Sequence, residues 1–178
     1  MNTSPRIILL SLAVLFTASS VAVAQDRGNV RPRPSPNAAV SQTIGTTEVA
    51  VTYGRPGLKG RELESLVPEG KVWRTGANES TAIMFTDDVM VGDKAISAGT
   101  YSIYSLPEND KLTIIINSKL SWGTQYDPSE DVARVSFPVQ DGPFYEWFTI
   151  DFDNLSDESA HMNLRWGDKW VAVPITVQ

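Results

Sequence analysis

Cysteine is absent from this chain of 178 residues, and histidine occurs only once. Without cysteine there can be no disulfide, no thiolate metal ligand, no cysteine nucleophile and no lipid attached through a cysteine. Basic residues are in the minority, with 15 Lys and Arg against 21 Asp and Glu. Because nucleic-acid binding depends on neutralising phosphates with Lys and Arg, this balance argues against such a partner. We therefore expect no metal site, no cofactor and no contact with nucleic acid.

Long hydrophobic runs are also lacking, except at the N-terminus. Arg6 precedes an apolar run over residues 7–16, and small residues follow, ending in Ala-Val-Ala at 22–24. This order is typical of a secretory signal peptide, and the run is shorter than the ~20 residues that a membrane-spanning helix needs. We place cleavage after Ala24, so that residues 1–24 are the predicted signal peptide. The sequence thus predicts a soluble exported protein, periplasmic or extracellular, that is not a lipoprotein and has no membrane span.

The segment that follows is rich in proline. Residues 25–37 have prolines at alternate positions from Pro32 to Pro36 and few apolar side chains, which predicts an extended, solvated linker. Residues 38–178 are predicted to form one domain without internal repeats. Removal of the signal peptide leaves 154 of the 178 residues. A chain of this length buries about 70% of its unfolded surface, which is enough for a core without disulfides or metal.

Within that domain, short segments with alternating apolar side chains are separated by turn residues. Val49, Val51 and Tyr53 alternate with small or polar residues, as in a half-buried strand. Similar segments occupy residues 81–86, 100–105, 111–117, 132–139, 144–152, 160–166 and 170–177. Gly-Asp-Lys at 167–169 separates the last two and predicts a hairpin, and only residues 61–67 look helical. About eight or nine strands predict an all-β fold: an antiparallel β-sandwich or jelly-roll-like barrel with one short helix.

One long connection interrupts this pattern. Residues 53–80, called the polar loop below, are rich in glycine and contain Arg55, Arg61 and Arg74. A connection of this length is usually either functional or disordered. Because it also contains Trp73, we favour an ordered loop.

These residues also resemble a known family. The matching stretches are residues 41–45, 51–56, 60–61, 67–68, 72–79 and 98–102, together with Asn117, Trp122, Gly123, Tyr126, Asp127, Glu146 and Trp166. Among them the run Trp-Arg-Thr-Gly-Ala-Asn at 73–78 is the most specific. From about Pro36 to the C-terminus the chain resembles the exported bacterial family catalogued as domain of unknown function 2911. The resemblance implies export and a β fold, and it implies no catalytic residue.

Glu146 is the carboxylate whose predicted position is the most informative. Period-two alternation places it on the same strand face as Phe148 and Ile150. A carboxylate among apolar side chains needs a cationic or hydrogen-bonding partner. The three arginines of the polar loop are the natural candidates, because a guanidinium binds a carboxylate through two parallel hydrogen bonds.

Two interpretations of this pairing remain open. In the first, a buried ion pair pins the polar loop to the sheet. In the second, Arg74, Asn78 and Glu146 line a ligand pocket with Trp73 as its apolar wall. Aromatic surface with a few convergent polar groups is typical of small-ligand sites.

A second candidate region is residues 117–127, which contain Trp122 and Tyr126 beside amide and carboxylate side chains. Aromatic faces next to amides suit stacking on sugar rings. The alternative is that Trp122 plugs one end of the sandwich, since tryptophan is highly buried on average.

Known catalytic patterns find little support. His161 falls on the polar face of its predicted strand, and no nucleophile elbow, phosphate loop or dinucleotide fingerprint is present. The remaining catalytic option is a pair of carboxylates, Glu79 and Glu146, acting as acid and base on a glycoside.

Three hypotheses of function follow. The leading one is a non-catalytic module that binds a small or saccharide-like ligand. The alternatives are a carboxylate-dependent hydrolase acting on an envelope or carbohydrate substrate, and a structural or partner-binding protein. The candidate ligand-binding residues are Arg55, Arg61, Trp73, Arg74, Asn78, Glu79, Trp122, Tyr126 and Glu146.

Overall fold

A computed structural model describes residues 27–28 and 31–177. The predicted signal peptide and its cleavage site lie outside these residues. In chain order the elements are β1 (Asn37–Ile44), β2 (Thr47–Gly54), α1 (Leu63–Leu66), β3 (Thr81–Phe85), β4 (Val89–Val91), β5 (Lys94–Ile96), β6 (Gly99–Glu108), β7 (Lys111–Asn117), a 3-10 turn (Pro128–Glu130), β8 (Asp131–Pro138), β9 (Gln140–Asp153) and β10 (Ser159–Val177). The strands form one sheet of six, in the order β1-β2-β3-β6-β7-β8, and one of four, in the order β5-β4-β10-β9. Both sheets are antiparallel.

The core lies between the two sheets, and strand periodicity explains which side chains reach it. Val49, Val51 and Tyr53 of β2 project inward from the larger sheet and are at most 2% exposed. Phe148 and Ile150 of β9 belong to the same core from the smaller sheet. The Tyr53 hydroxyl accepts a hydrogen bond from the Ile150 amide at 2.9 Å. This polar group of β2 therefore also links the two sheets.

The predicted all-β sandwich is confirmed, and most predicted strands are found. Strand β7 spans Lys111–Asn117 as predicted, and the strands at residues 81–86, 100–105 and 132–139 agree within a few residues. The predicted helix at 61–67 is present but shorter. It covers only Leu63–Leu66, and the side chain of its N-cap residue, Glu62, makes no capping hydrogen bond.

The predicted hairpin at residues 167–169 is wrong. Residues 159–177 form one continuous strand, whose register against β9 shifts between Arg165 and Gly167 and again between Gly167 and Lys169. Gly167 has φ +62°, which a glycine adopts without strain, so these turn residues make a bulge rather than a reversal. The strand continues through the bulge because its first part pairs with β9 and its last three residues pair with β4.

Three strands were not predicted. The sequence of β1 is mostly small and polar, yet it pairs with β2 over its whole length, from Asn37 opposite Gly54 to Ile44 opposite Thr47. Strands β4 and β5 have only three residues each and form a short hairpin. Apolar alternation is incomplete in β1 because the less exposed positions include Gln42 beside Val40 and Ile44. It cannot be recognised in β4 and β5 because they are too short.

The polar loop returns to the larger sheet at Trp73, which exchanges two backbone hydrogen bonds with Ser105 of β6, at 2.7 and 2.8 Å. This bridge extends the sheet beyond the start of β3. The following residues then pack on the end of β2, where a Cβ on Gly54 would overlap the carbonyl group of Ala77.

This packing predicts a specific cost for Gly54→Ala. The new methyl group meets backbone that cannot rotate away, so we expect a loss of about 3 kcal/mol or more in the free energy of unfolding. The matched control is Gly70→Ala, where φ is +69° but no heavy atom lies within 4 Å of the added Cβ. The control should lose only about 1–2 kcal/mol through its left-handed backbone. Urea unfolding of both variants decides, and equal losses would contradict the close packing at Gly54.

Candidate functional site

A cavity of about 340 Å³ lies at the end of the sandwich where β6 turns into β7. Its walls come from α1 and the residues after it, from the β6–β7 turn, and from β7, β9 and β10. The apolar lining consists mainly of Leu63, Val67, Leu112, Val139, Leu164 and Val171, with four aromatic side chains, Trp73, Phe148, Trp166 and Trp170. The sequence predicted a ligand pocket with Trp73 as its wall but not the rest of this lining, because the other residues are scattered over separate segments of the sequence.

Three of the aromatic side chains, Trp73, Phe148 and Trp166, are in mutual contact and are called the aromatic cluster below. The Trp73 and Trp166 rings stack with centroids 5.5 Å apart and planes 20° apart. Phe148 meets Trp73 edge-on at 5.0 Å and Trp166 at 5.9 Å. Stacked and edge-on pairs of this kind are the arrangements that the charge distribution of aromatic rings favours. The Trp166 indole N–H also donates to the Glu146 carbonyl oxygen at 3.2 Å, so the ring is fixed in orientation.

The charged residues that line the cavity are Glu64, Glu69, Lys111 and Lys169. The first three are exposed and Lys169 is half-buried, so these side chains lie at the mouth rather than in the interior. Glu69 is positioned by the Asn109 backbone N–H, which donates to its Oε1 at 2.8 Å. The interior is therefore apolar and aromatic, and charge is confined to the entrance.

Of the predicted candidates, only Trp73 lines this cavity. The expected pairing of Glu146 with an arginine is not formed. Its Oε1 instead accepts a hydrogen bond from the Lys59 backbone N–H at 2.7 Å. Glu146 is only partly buried, because the register shifts of β9 against β10 interrupt the strict alternation on which the prediction depended. A half-exposed carboxylate with a backbone donor has no need of a buried cation.

Two of the three arginines of the polar loop, Arg55 and Arg61, bind mainly to carbonyl groups. Arg55 donates to the Phe148 carbonyl oxygen at 3.0 Å and to the Thr149 hydroxyl at 2.6 Å. Arg61 donates to the carbonyl oxygens of Gly57 and Leu58 at 2.8 and 2.9 Å. Arg55 thus ties the polar loop to β9 through a backbone carbonyl and a hydroxyl, and the ion pair with Glu146 that the first interpretation required is absent.

Arg74 and Asn78 of the polar loop lie elsewhere, against the loop that follows β7 and contains Trp122. The aliphatic part of Arg74 lies against Gly123, whose N–H donates to the Asn78 carbonyl oxygen at 3.0 Å. Trp122 forms an isolated β-bridge with Glu79, and its side chain is 47% exposed. Trp122 therefore does not plug the sandwich, because the β-bridge holds it on the outer surface.

Tyr126 is held by its hydroxyl group rather than left open for stacking. The hydroxyl donates to Asp131 Oδ2 at 2.7 Å and accepts from Arg134 at 2.6 Å, and the ring packs on Tyr104 at 4.8 Å. Burial and the hydrogen bond to Asp131 raise the pKa of Tyr126 to about 12. Its role in this geometry is to brace the loop.

An ion cluster that the sequence did not predict lies beside this loop. It consists of Arg27, Arg33 and Glu79. Arg33 grips the Glu79 carboxylate with both terminal nitrogens, at 2.7–3.0 Å. The Arg27 side chain is 5% exposed, lies 3.6 Å from the same carboxylate, and donates to the carbonyl oxygens of Thr52 and Ser80 at 3.0 and 2.5 Å.

These contacts attach the residues before β1 to the domain. The described part of this segment, residues 27–28 and 31–36, is called the strap below. Besides the two arginines, its backbone accepts hydrogen bonds from Asn78 Nδ2 at Ser35 and from the Arg55 N–H at Pro36. The predicted solvated linker thus lies against the fold. Arg27 and Arg33 find a carboxylate partner in Glu79 that composition could not reveal.

Charge and burial act against each other in this cluster. Burial lowers the pKa of Arg27 to about 10, although Glu79 acts in the opposite direction, so the guanidinium stays protonated at neutral pH. Burial alone would raise the pKa of Glu79, but the hydrogen bonds from Arg33 and the charges of both arginines outweigh it and lower that pKa below 4.5. Glu79 is therefore ionised at neutral pH.

The cluster predicts the behaviour of Glu79→Gln. Loss of the carboxylate leaves the buried Arg27 without its ion-pair partner, so we expect the free energy of unfolding to fall by about 3 kcal/mol at pH 7. Because folding lowers the pKa of Glu79, its contribution is complete above pH 4.5 and disappears as the pH falls through the lower, folded value. The difference between wild type and variant should therefore shrink from pH 7 to about pH 3.

The matched control is the exposed Glu48→Gln, which should change the free energy of unfolding by less than about 0.5 kcal/mol at either pH. Urea titrations at both pH values provide the measurement. A Glu79→Gln loss that does not depend on pH would refute the assigned ion pair.

In residues 27–28 and 31–177 no group of three or more His, Asp or Glu side chains is placed to hold a metal ion. Over the same range no helix has the length and apolar character to span a membrane.

Comparison with known proteins gives one positive result. No curated protein and no solved structure matches the chain significantly. The profile of a family described as "Protein of unknown function (DUF2911)" matches residues 35–175, which cover both sheets, the cavity and most of the polar contacts described above. The chain therefore belongs to the DUF2911 family of proteins of unknown function.

Proposed function

We propose that this protein is an exported, non-catalytic module that binds a small molecule whose apolar part occupies the cavity beside the aromatic cluster. The observation behind the proposal is the cavity itself, about 340 Å³ in volume and lined by Trp73, Phe148, Trp166 and Trp170. Small-molecule sites are clefts of ~300–1,000 Å³ with mainly apolar and aromatic walls and few polar groups. This cavity falls at the lower end of that range. Export rests on the predicted signal peptide.

The rigidity of the site supports binding without large rearrangement. Trp73 is fixed by two backbone hydrogen bonds to Ser105, and Trp166 by its indole N–H. Both rings also contact Phe148, which is 1% exposed. A ligand would meet side chains that are already ordered, so it would lose little free energy to ordering them.

The wall chemistry favours an apolar ligand body over a sugar. A sugar ring brings several hydroxyl groups, and each costs free energy when it is buried without a hydrogen-bond partner. The interior offers mostly aliphatic and aromatic carbon, while the polar lining residues lie at the mouth. Trp122, one of the two aromatic residues predicted to stack on a sugar, lies outside the cavity lining.

The hydrolase alternative receives less support from the geometry. Glu79 is ionised and bound to two arginines, which is unsuitable for a general acid. The Glu146 carboxylate accepts a hydrogen bond from the Lys59 backbone N–H, and the Glu146 backbone carbonyl accepts one from the Trp166 indole. Neither carboxylate lines the cavity. A purely structural role would leave an aromatic cavity of this size without a purpose.

A cavity-filling substitution tests the proposal. Val67 lines the cavity and is half-buried, so Val67→Trp should occupy the space that a ligand needs. A thermal-shift screen of wild type against small aromatic and aliphatic compounds should find ligands that raise Tm by roughly 5–10 °C at ~100 times Kd. The same compounds should have no effect on Val67→Trp.

The matched control is Val132→Trp, which places the same side chain at a position that is 48% exposed and outside the cavity lining. This variant should respond to the ligands as wild type does. A flat screen on wild type, or ligands that stabilise Val67→Trp as strongly as Val132→Trp, would remove the support for a binding function at this site.

A further inference from the structure

We infer that the ligand is an organic cation, an amine or quaternary ammonium group attached to an apolar or aromatic body. This inference rests on the proposed function and concerns the same cavity. It follows from the balance of charges at the mouth and from the kind of surface that lies beneath them.

Two carboxylates give the cavity entrance negative charge. Glu64 and Glu69 both line the cavity, and both are exposed at its entrance. Glu69 accepts a hydrogen bond from the Asn109 N–H, and neither residue forms an ion pair within the part of the chain that the structure describes. Their negative charge is therefore available to a ligand.

The two lysines at the entrance do not cancel this negative charge. Lys169 also lines the cavity, but its Nζ lies 2.5 Å from Asp141 and 3.7 Å from Asp168, so two carboxylates compensate its charge. Lys111 is the other lining lysine, and among the described residues it has no ion-pair partner. One uncompensated lysine thus faces two uncompensated glutamates, and the entrance is negative on balance. The acidic character of the whole chain, with formal net charge −6, adds to the attraction of cations.

The aromatic surface of the cavity also favours a cation. A cation within about 6 Å of a ring centroid is attracted by the negative ring face, most strongly for tryptophan. Trp170, which lines the cavity, already attracts the guanidinium of Arg165 at 4.9 Å from its ring centroid. Trp73 and Trp166 each give one ring face to their mutual stacking, so the cation preference rests on the tryptophans that line the cavity acting together with the glutamates at its mouth. An anionic ligand would gain nothing from these rings and would be repelled by the glutamates.

Three probes that share one apolar body test the charge preference. They are (3-phenylpropyl)trimethylammonium, 4-phenylbutyrate and 4-phenylbutan-1-ol, titrated into the wild-type mature protein by isothermal calorimetry at low ionic strength. We expect the cation to bind roughly ten-fold more tightly than the neutral alcohol and the anion to bind most weakly. The advantage of the cation over the alcohol should decrease as salt is added.

Two surface variants supply a test with opposite signs. Glu64→Gln should weaken binding of the cation roughly two- to five-fold, and Lys111→Gln should strengthen it by a similar factor. Binding of the neutral alcohol should be unchanged in both variants, which controls for any change in cavity shape.

The outcomes separate this inference from the proposed function. If the alcohol or the anion binds as tightly as the cation, or if the two variants shift cation binding in the same direction, the charge inference is overturned while the binding function stands. If none of the three probes binds but neutral compounds from the screen do, the charge inference also fails. If neither the probes nor the screen gives a ligand, the proposed function fails with it.

Discussion

The contact of Trp73 with Phe148 and Trp166 is the interaction on which the rest of the structure depends. Trp73 belongs to the larger sheet through its backbone pairing with Ser105, whereas Phe148 and Trp166 belong to β9 and β10 of the smaller sheet. The three rings therefore join the two layers at one end of the sandwich. Because large flat rings leave space where they meet the aliphatic walls, the same contact also forms one side of the cavity.

The position of Trp73 depends in turn on an unusual backbone. Thr75 and Asn78 have φ +51° and +67°, and a positive φ is costly for a β-branched residue such as Thr75. Buried hydrogen bonds hold this conformation: the Thr75 hydroxyl contacts Ser105 at 2.9 Å, and its carbonyl oxygen accepts from Thr81 at 2.5 Å. The ion cluster of the strap fixes the far end of the same segment at Glu79. Strained backbone that is held so firmly is characteristic of functional segments.

The fold could be predicted from the sequence to a large extent, because strands such as β2 and β7 show a clear alternation of side chains. The hairpin at Gly167 could not be distinguished from a bulge, since the two have the same turn residues and differ only in the pairing partners of the strand. The sequence predicted an ordered polar loop, and one of the two open interpretations made Trp73 the wall of a pocket. The partners of Trp73, which are Phe148 and Trp166, were missed because they lie far away in sequence. The strap arginines that bind Glu79 were missed for the same reason. Charge complementarity also misled the prediction at Glu146, where a backbone N–H takes the place of the expected guanidinium.

The central claim is that the aromatic cluster borders a preformed apolar cavity that is accessible to small molecules. Xenon tests this directly, because it binds to apolar cavities without requiring any particular polar contact. A crystal structure of the folded domain under xenon pressure should show xenon next to Trp73, Trp166 and Leu164, with those side chains unmoved. A cavity closed by collapsed side chains, or filled with ordered water that excludes xenon, would contradict the account.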